Sequence, residues 1–171
     1  MPEYYKSTSK PKKQEVREEY LLVDGYNVIF AWEDLKDLAQ VSIDGARGKL
    51  LDVLCDYQGM KKCNLIVVFD AYRVQGHKTE ISTYHNIHVV FTKEAETADQ
   101  YIEKFAHENG KKYNVTVATS DGLEQIIIRG QGCRLLSARE LKDEIERTKK
   151  TLFEEHPQDS KKLSHSLKDM L

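Results

Sequence analysis

Residues 20–27 read YLLVDGYN, an apolar run that ends in a carboxylate. The apolar residues 21–23 predict a buried strand, and Asn27 stands at the mouth of the helix expected to follow. A strand that ends in Asp24 places a negative charge at its carboxyl end. In open parallel α/β sheets, ligands bind at this edge. Asp24 is therefore the first candidate for a functional residue.

Further apolar runs follow, and helical patterns separate them. The predicted strands cover residues 20–24, 64–70, 87–91, 115–119 and 133–136, with a loop after residue 70. Helices are predicted over 28–39, from Ser42 to Gly59, from Thr97 to Gly110, from Ser120 and from Ser137. This alternation predicts an α/β fold in which helices cover both faces of a mainly parallel sheet of about five strands.

Each of the first four predicted strands leads to acidic residues. Asp24 and Asp70 end the first two, Glu96 and Asp99 follow the third, and Asp121 follows the fourth. Carboxylates that share one sheet edge suit Mg²⁺ or Mn²⁺, which prefer hard oxygen ligands. Two such ions can orient an attacking water and stabilise a leaving oxygen. We hypothesise that these acids hold divalent metal for phosphodiester cleavage.

Each of these residues also has an ordinary structural alternative. Asp24 could form an Asx turn, and Asp99 could stabilise the first turn of a helix through the helix dipole. Asp121 and Asn27 could be N-caps, and Glu96 could be solvated. Taken together, these alternatives must explain why four strands lead to acids at the same edge.

Basic and aromatic side chains near the acids are candidates for RNA contacts. Arg47, Arg73 and Lys93 could rim the site and hold the phosphate backbone, while Tyr26 and Tyr72 could stack on bases. Every one of them could equally be ordinary surface.

Composition limits the class of protein. The 171 residues predict one domain over 20–156, a flexible arm over 1–19 and a polar tail over 157–171. The net charge of −2 argues against non-specific coating of nucleic acid. No apolar run approaches the roughly 20 residues of a membrane span, so no membrane partner is expected. An odd number of cysteines without framework spacing favours the cytoplasm.

Four motifs carry a resemblance to a known family. They are VDGYNVI at 23–29, IVVFDAYRV at 66–74, VVFTKEAETADQYI at 89–102 and VATSDGLEQ at 117–125. In this order they resemble the YacP-like branch of NYN domains, within the PIN-like nuclease superfamily. The resemblance covers residues 21–150, and it implies a three-layer α/β/α Rossmann-like fold. It also implies a metal-dependent endoribonuclease that acts on mRNA at translating ribosomes.

The resemblance assigns roles to individual residues. It makes Asp24 the first metal acid and Asn27 its polar companion. The further acids are Asp70 after the second strand, Asp99 in the ETAD segment and Asp121 after the fourth strand, with Glu96 as an additional member.

Two other classes of function stay open. One is a non-catalytic RNA- or ribosome-binding module that keeps the fold. The other is a phosphoryl-transfer domain, which also places acids at strand ends. A phosphatase would want a DxD after the first strand and a receiver would want a Lys after the final strand, and the sequence has neither.

Overall fold

The computed structural model describes residues 16–71 and 75–155. Its strands are β1 (Glu19–Asp24), β2 (Asn64–Phe69), β3 (Glu80–Tyr84), β4 (Ile87–Phe91), β5 (Asn114–Ala118) and β6 (Arg134–Leu136). Its helices are α1 (Gly25–Ala31), α2 (Glu33–Val41), α3 (Ile43–Lys61), α4 (Ala98–Asn109), α5 (Gly122–Gly130) and α6 (Ala138–Glu155). None of these helices is both long and apolar enough to cross a membrane.

The strands form one sheet in the order β3-β4-β2-β1-β5-β6. All neighbouring pairs are parallel except β3 with β4. The prediction of a mainly parallel sheet of about five strands is confirmed, and the sheet has six strands. The additional strand is β3, which lies in the stretch predicted as a loop. Four of its five residues are exposed, so it lacks the buried apolar run that marks the other strands.

Each face of the sheet has its own apolar core. In β1, Leu21 and Val23 pack into the core beneath α1, α2, α3 and α6, whereas Leu22 packs into the core beneath α4 and α5. Adjacent residues of a strand point to opposite faces, so a strand buried on both sides needs an uninterrupted apolar run. This is why 21–23 is apolar throughout, and it confirms the three-layer arrangement.

The helix predicted over 28–39 is wrong as a single helix. The chain forms α1 and α2, which are separated at Trp32, where the backbone is extended (φ −87°, ψ 119°). The Trp32 indole is buried, and its Nε1 donates a hydrogen bond to the Ala138 carbonyl at 2.8 Å. Anchoring this side chain against the start of α6 interrupts the helix.

Most of the predicted helix ends are correct. Ser42 accepts the capping hydrogen bond of α3 from the Gly45 amide, and the Thr97–Gln100 capping box opens α4. A reciprocal pair of bonds between Ser137 and Glu140 likewise precedes α6. Gly59 does not end α3.

That helix continues to Lys61. Lys62 then takes the left-handed conformation at φ 56° and donates its N–H to the Gln58 carbonyl. The predicted arm and tail fall mostly on 1–15 and 156–171, outside the described residues, so the proposed domain limits stay predictions.

Candidate active site

An open cleft of about 500 Å³ lies at the carboxyl edge of the sheet. The residues that line it are Asp24, Tyr26, Asn27, Phe30, Ala31, Asp70, Ala98, Asp99, Ser120 and Asp121. The four aspartates follow four different strands: Asp24 ends β1, Asp70 follows β2, Asp99 lies in the helix after β4, and Asp121 follows β5. The structure therefore brings together the four acids that the sequence analysis singled out as metal ligands.

Asp24 ends β1 and stands at the N-cap position of α1. Its side chain accepts no capping hydrogen bond of standard geometry in α1. Burial raises the pKa of its carboxyl group, and the charges of Asp99 and Asp121 raise that pKa further. The neighbouring Glu124 side chain and the backbone N–H of Asn27 act in the opposite direction. A carboxylate that is half-buried among like charges is one that a cation would stabilise.

Asp70 and Asp99 are placed by local hydrogen bonds. Asp70 follows β2 directly, and the next amide, that of Ala71, donates to Thr92 Oγ1 at 3.0 Å. Thr92 is completely buried beyond the end of β4 and fixes this turn. Asp99 lies in the first turn of α4, just after the Thr97 capping box. Its position also suits the helix dipole, as the structural alternative proposed.

Asp121 caps α5, and this alternative proves correct. Its Oδ1 accepts hydrogen bonds from the amides of Leu123 at 3.0 Å and Glu124 at 3.3 Å. Asn27 lies inside α1 and is not an N-cap. Its Oδ1 accepts a hydrogen bond from the Ser120 amide at 2.7 Å. Asn27 therefore ties α1 to the loop that carries Asp121, which sets the two sides of the cleft relative to each other.

Glu124 is a site residue that the sequence analysis did not identify. It is only 1% exposed, and its Oε2 accepts a hydrogen bond from the Thr119 hydroxyl at 3.0 Å. Its Oε1 has no hydrogen-bond donor within the described residues. Burial raises the pKa of Glu124, and the Asp24 charge raises it further, so the protonated form is favoured. A protonated Glu124 can donate a hydrogen bond to the Asp24 carboxylate and so fix its orientation.

The sequence did hold a signal for Glu124. Glu124 comes three residues after Asp121 and four residues before the buried Ile128. Glu124 and Ile128 therefore lie on the same face of α5. The apolar Leu123 and Ile126 of the same helix are 70% and 71% exposed. An argument from hydrophobicity alone would turn those two inward and Glu124 outward.

The cleft suits a hydrated divalent cation better than a closed metal cage. Across 16–71 and 75–155, no group of three or more His, Cys, Asp or Glu side chains is placed to hold a metal ion by itself. Mg²⁺ commonly keeps several waters and binds through one or two carboxylates together with substrate phosphates. Four aspartates line the cleft, and none of the described lining residues carries a positive charge that would offset theirs.

Three of the other predicted site residues, the RNA contacts Arg47 and Lys93 and the catalytic candidate Glu96, do not line the acidic cleft. Arg47 donates from Nη1 to the Tyr26 hydroxyl at 2.8 Å and from Nη2 to Asp44, so it supports a wall of the cleft without lining it. Glu96 and Lys93 line a separate groove of about 220 Å³ beside α4. Arg73 and Tyr72 lie outside the described residues.

Comparison with known proteins gives one consistent result. The YacP-like NYN domain family matches residues 21–171. The protein named "Uncharacterized protein YacP" of Bacillus subtilis (strain 168) is 49% identical over 127 residues, 74% of each chain.

Two solved structures are also similar. The crystal structure of Rae1 (YacP) from Bacillus subtilis superposes with a TM-score of 0.66 at 42% identity, covering 88% of this chain and 91% of that one. A point mutant of the same Bacillus subtilis protein gives a TM-score of 0.69 at 42% identity, covering 82% of each chain. With its α/β/α layers and the acidic cleft at the sheet edge, this chain belongs to the YacP-like NYN domain family of the PIN-like nuclease superfamily.

Proposed function

We propose that this protein is a divalent-metal-dependent endoribonuclease. The observation that carries the proposal is the meeting of Asp24, Asp70, Asp99 and Asp121 in one open cleft. Membership of a nuclease-type family supports the same reaction class. Hydrolysis would leave 5′-phosphate and 3′-hydroxyl ends.

The four aspartates are the residues that would hold Mg²⁺ or Mn²⁺. Such an ion, when bound, supplies charge for the phosphate oxygens and for the leaving oxygen. Asp24 stands at the centre of the group, and Glu124 behind it keeps its carboxylate oriented. Asn27 holds the Ser120–Asp121 loop through its Oδ1, and its Nδ2 can donate to a phosphate oxygen. Glu96, in the neighbouring groove, is assigned at most an assisting role there.

We further propose that the substrate is mRNA on translating ribosomes and that the protein acts in the cytoplasm. The ribosomal setting rests on the family resemblance of the four sequence motifs. Cys55, Cys63 and Cys133 are all free thiols, which fits a reducing compartment.

The test is cleavage of a long mRNA by the purified protein with Mn²⁺, with Mg²⁺ and with a chelator. Each reaction is run with and without translating ribosomes. We expect metal-dependent cuts, which Asp24→Asn reduces by about 100-fold or more because one carboxylate ligand is lost. Asp37→Asn, which changes an exposed acid on α2, is the matched control and should cut like the wild type. Equal cleavage by a folded Asp24→Asn protein would remove the assignment.

A non-catalytic RNA-binding module is the second candidate. It is favoured by the lack of a compact ligand group among the described acids and by the capping role of Asp121. Such a module would retain RNA, or sediment with ribosomes, and produce no cuts under any metal condition.

A further inference from the structure

The acidic cleft has an aromatic side wall that the reaction chemistry does not explain. Phe30 lines the cleft, yet its side chain is 54% exposed. Tyr26 precedes it by one helical turn on α1, and their ring centroids are 6.5 Å apart. The two rings form a ledge beside the aspartates. A phenylalanine side chain that is half exposed loses much of the free energy that full burial would provide. A ligand that packs on the ring would account for this exposure.

The Tyr26 ring of the ledge is held in place by contacts with the core and with Arg47. The Tyr26 ring packs on Phe69 at 5.0 Å between centroids, and Phe69 stacks on Phe91 at 5.4 Å. Arg47 fixes the Tyr26 hydroxyl with a hydrogen bond of 2.8 Å. Tyr26 therefore loses little conformational freedom when a ligand binds beside it, and it gives Phe30 a fixed neighbour one helical turn away.

The charges of the cleft define which ligand the ledge can take. None of the described residues that line the cleft is a Lys or an Arg, and Arg47 is engaged by Tyr26 and Asp44. Four aspartates repel phosphates unless a cation intervenes. Among the described residues of the cleft, attraction for a nucleic acid can come from a source that is insensitive to charge, and stacking of a base on an aromatic ring is such a source.

We propose that Phe30 is a stacking platform for one unpaired nucleobase next to the scissile phosphate. This inference rests on the proposed nuclease function. In a duplex, each base already stacks on its neighbours and offers no free face to the ring. From the helical rise of 1.5 Å per residue, Phe30 lies roughly 9 Å along α1 from Asp24, within reach of an adjacent nucleotide.

The test is an abasic scan on a short RNA with a single cleavage site. Each base near the cut is replaced in turn by an abasic unit, and kcat/KM is measured for wild type and Phe30→Ala. For the wild type, we expect about a tenfold loss at one or two positions, the usual size of a base–aromatic stack. Phe30→Ala should show that loss on the intact RNA, mainly in KM, and no further loss at the same positions.

Matched variants separate stacking from general hydrophobicity. Phe30→Tyr and Phe30→Trp should retain the abasic effect, and Phe30→Leu should lose it. Val41→Ala, which changes an apolar residue on α2 that is 87% exposed and not part of the cleft, should behave like the wild type. An unchanged abasic penalty in Phe30→Ala, or full activity in Phe30→Leu, would overturn the inference while leaving the nuclease intact.

A binding measurement decides the question even if no cleavage is seen. A 2-aminopurine at each scanned position is monitored in Ca²⁺, where stacking on the ring should quench its fluorescence. Quenching by the wild type and not by Phe30→Ala supports the platform, and equal quenching by both refutes it. If the wild type cuts no RNA with any metal, the proposed nuclease function is wrong. The fluorescence result then tests by itself whether a base stacks on Phe30. Tighter binding of the complementary duplex than of the single strand would also contradict the inference.

Discussion

Glu124 and Asp24 are neighbouring carboxyl groups that differ in their access to the cleft, and we therefore propose different roles for them. Asp24 lines the open cleft, whereas Glu124 is sealed behind it and held by Thr119. Removing the buried partner would leave Asp24 without the group that orients it. Glu124 is thus a positioning residue, whose contribution should appear in turnover more than in substrate binding.

We expect Glu124→Ala to lower kcat about tenfold with little change in KM, in the range typical for residues that orient metal ligands. Glu124→Gln should stay within a few-fold of wild type, because its amide can donate to Asp24 in place of the carboxyl proton. Steady-state kinetics on a short RNA would measure both. A purely structural role would instead give equal losses in the two variants at temperatures where both are folded.

Glu124 also shows a limit of prediction from local sequence patterns. Asp24, Asp70, Asp99 and Asp121 could be anticipated because each follows a predicted strand or opens a helix. Glu124 was not identified, because hydrophobicity alone turns Leu123 inward and the neighbouring carboxylate outward, against the weaker signal of its spacing from Ile128. Which face of α5 turns inward depends on the tertiary contacts of Thr119 and Asp24, and these are absent from local patterning.

At the scale of elements, α1 is the part on which the cleft depends. Gly25 begins this helix against β2, and a Cβ added there would meet the Phe69 ring at 2.4 Å. Phe69 is fully buried and held between Tyr26 and Phe91, so it has no room to withdraw. The glycine is what lets α1 approach the sheet and present Tyr26, Asn27 and Phe30 to the cleft.

We expect Gly25→Ala to destabilise the fold by about 1–3 kcal/mol, the usual cost of overpacking a core. It should also reduce cleavage, because α1 must shift away from Asp24. Gly48→Ala is the matched control, since it lies inside α3 with nothing within 4 Å of the added Cβ. That variant should be unchanged or stabilised by up to about 1 kcal/mol. Urea denaturation of the three proteins would compare them, and equal midpoints would contradict the role given to Gly25.

Local sequence patterns predict some of the strands and helices of this fold and miss others. The buried strands β1, β2, β4 and β5 were predictable because both faces are covered and the apolar run is continuous. The edge strand β3 was not, because its pairing with β4 leaves most of its side chains in water. The break at Trp32 was likewise hidden, as it depends on a hydrogen bond to Ala138, far along the chain.

For the molecule as a whole, the position of the cleft follows from topology. The chain passes from β1 outward to β2 and β4, and then returns to place β5 on the other side of β1. Connections diverge between β1 and β5, and such a switch point opens a crevice at the carboxyl edge of the sheet. Asp24 and Asp121 stand on its two sides, and the hydrogen bond from Ser120 to Asn27 spans it. The apolar runs of the sequence predict that the acids lie at the carboxyl edge of the sheet. They do not predict the order of the strands within the sheet.

The neighbouring carboxyl groups of Asp24 and Glu124 should make the free energy of unfolding depend on pH and on bound metal. The pKa values of Asp24 and Glu124 are both raised in the folded protein, chiefly by burial. Their contribution to stability is therefore fully present below the pKa that each has in the unfolded chain, roughly 4. It is lost as the pH rises through the higher folded values, because the unfolded chain releases these protons first.

We therefore expect metal-free wild type to lose stability relative to Glu124→Gln between about pH 4 and pH 8, with no such difference in slope below about pH 4. Mg²⁺ or Mn²⁺ should restore stability at about pH 8 far more than at about pH 5, because the cation binds the ionised acids. Asp24→Asn should blunt that metal effect, whereas Asp37→Asn should leave it intact. Thermal unfolding across pH, with and without metal, measures all of these differences. Equal stabilisation of wild type and Asp24→Asn by metal at the higher pH would mean that the ion binds somewhere other than the acidic cleft.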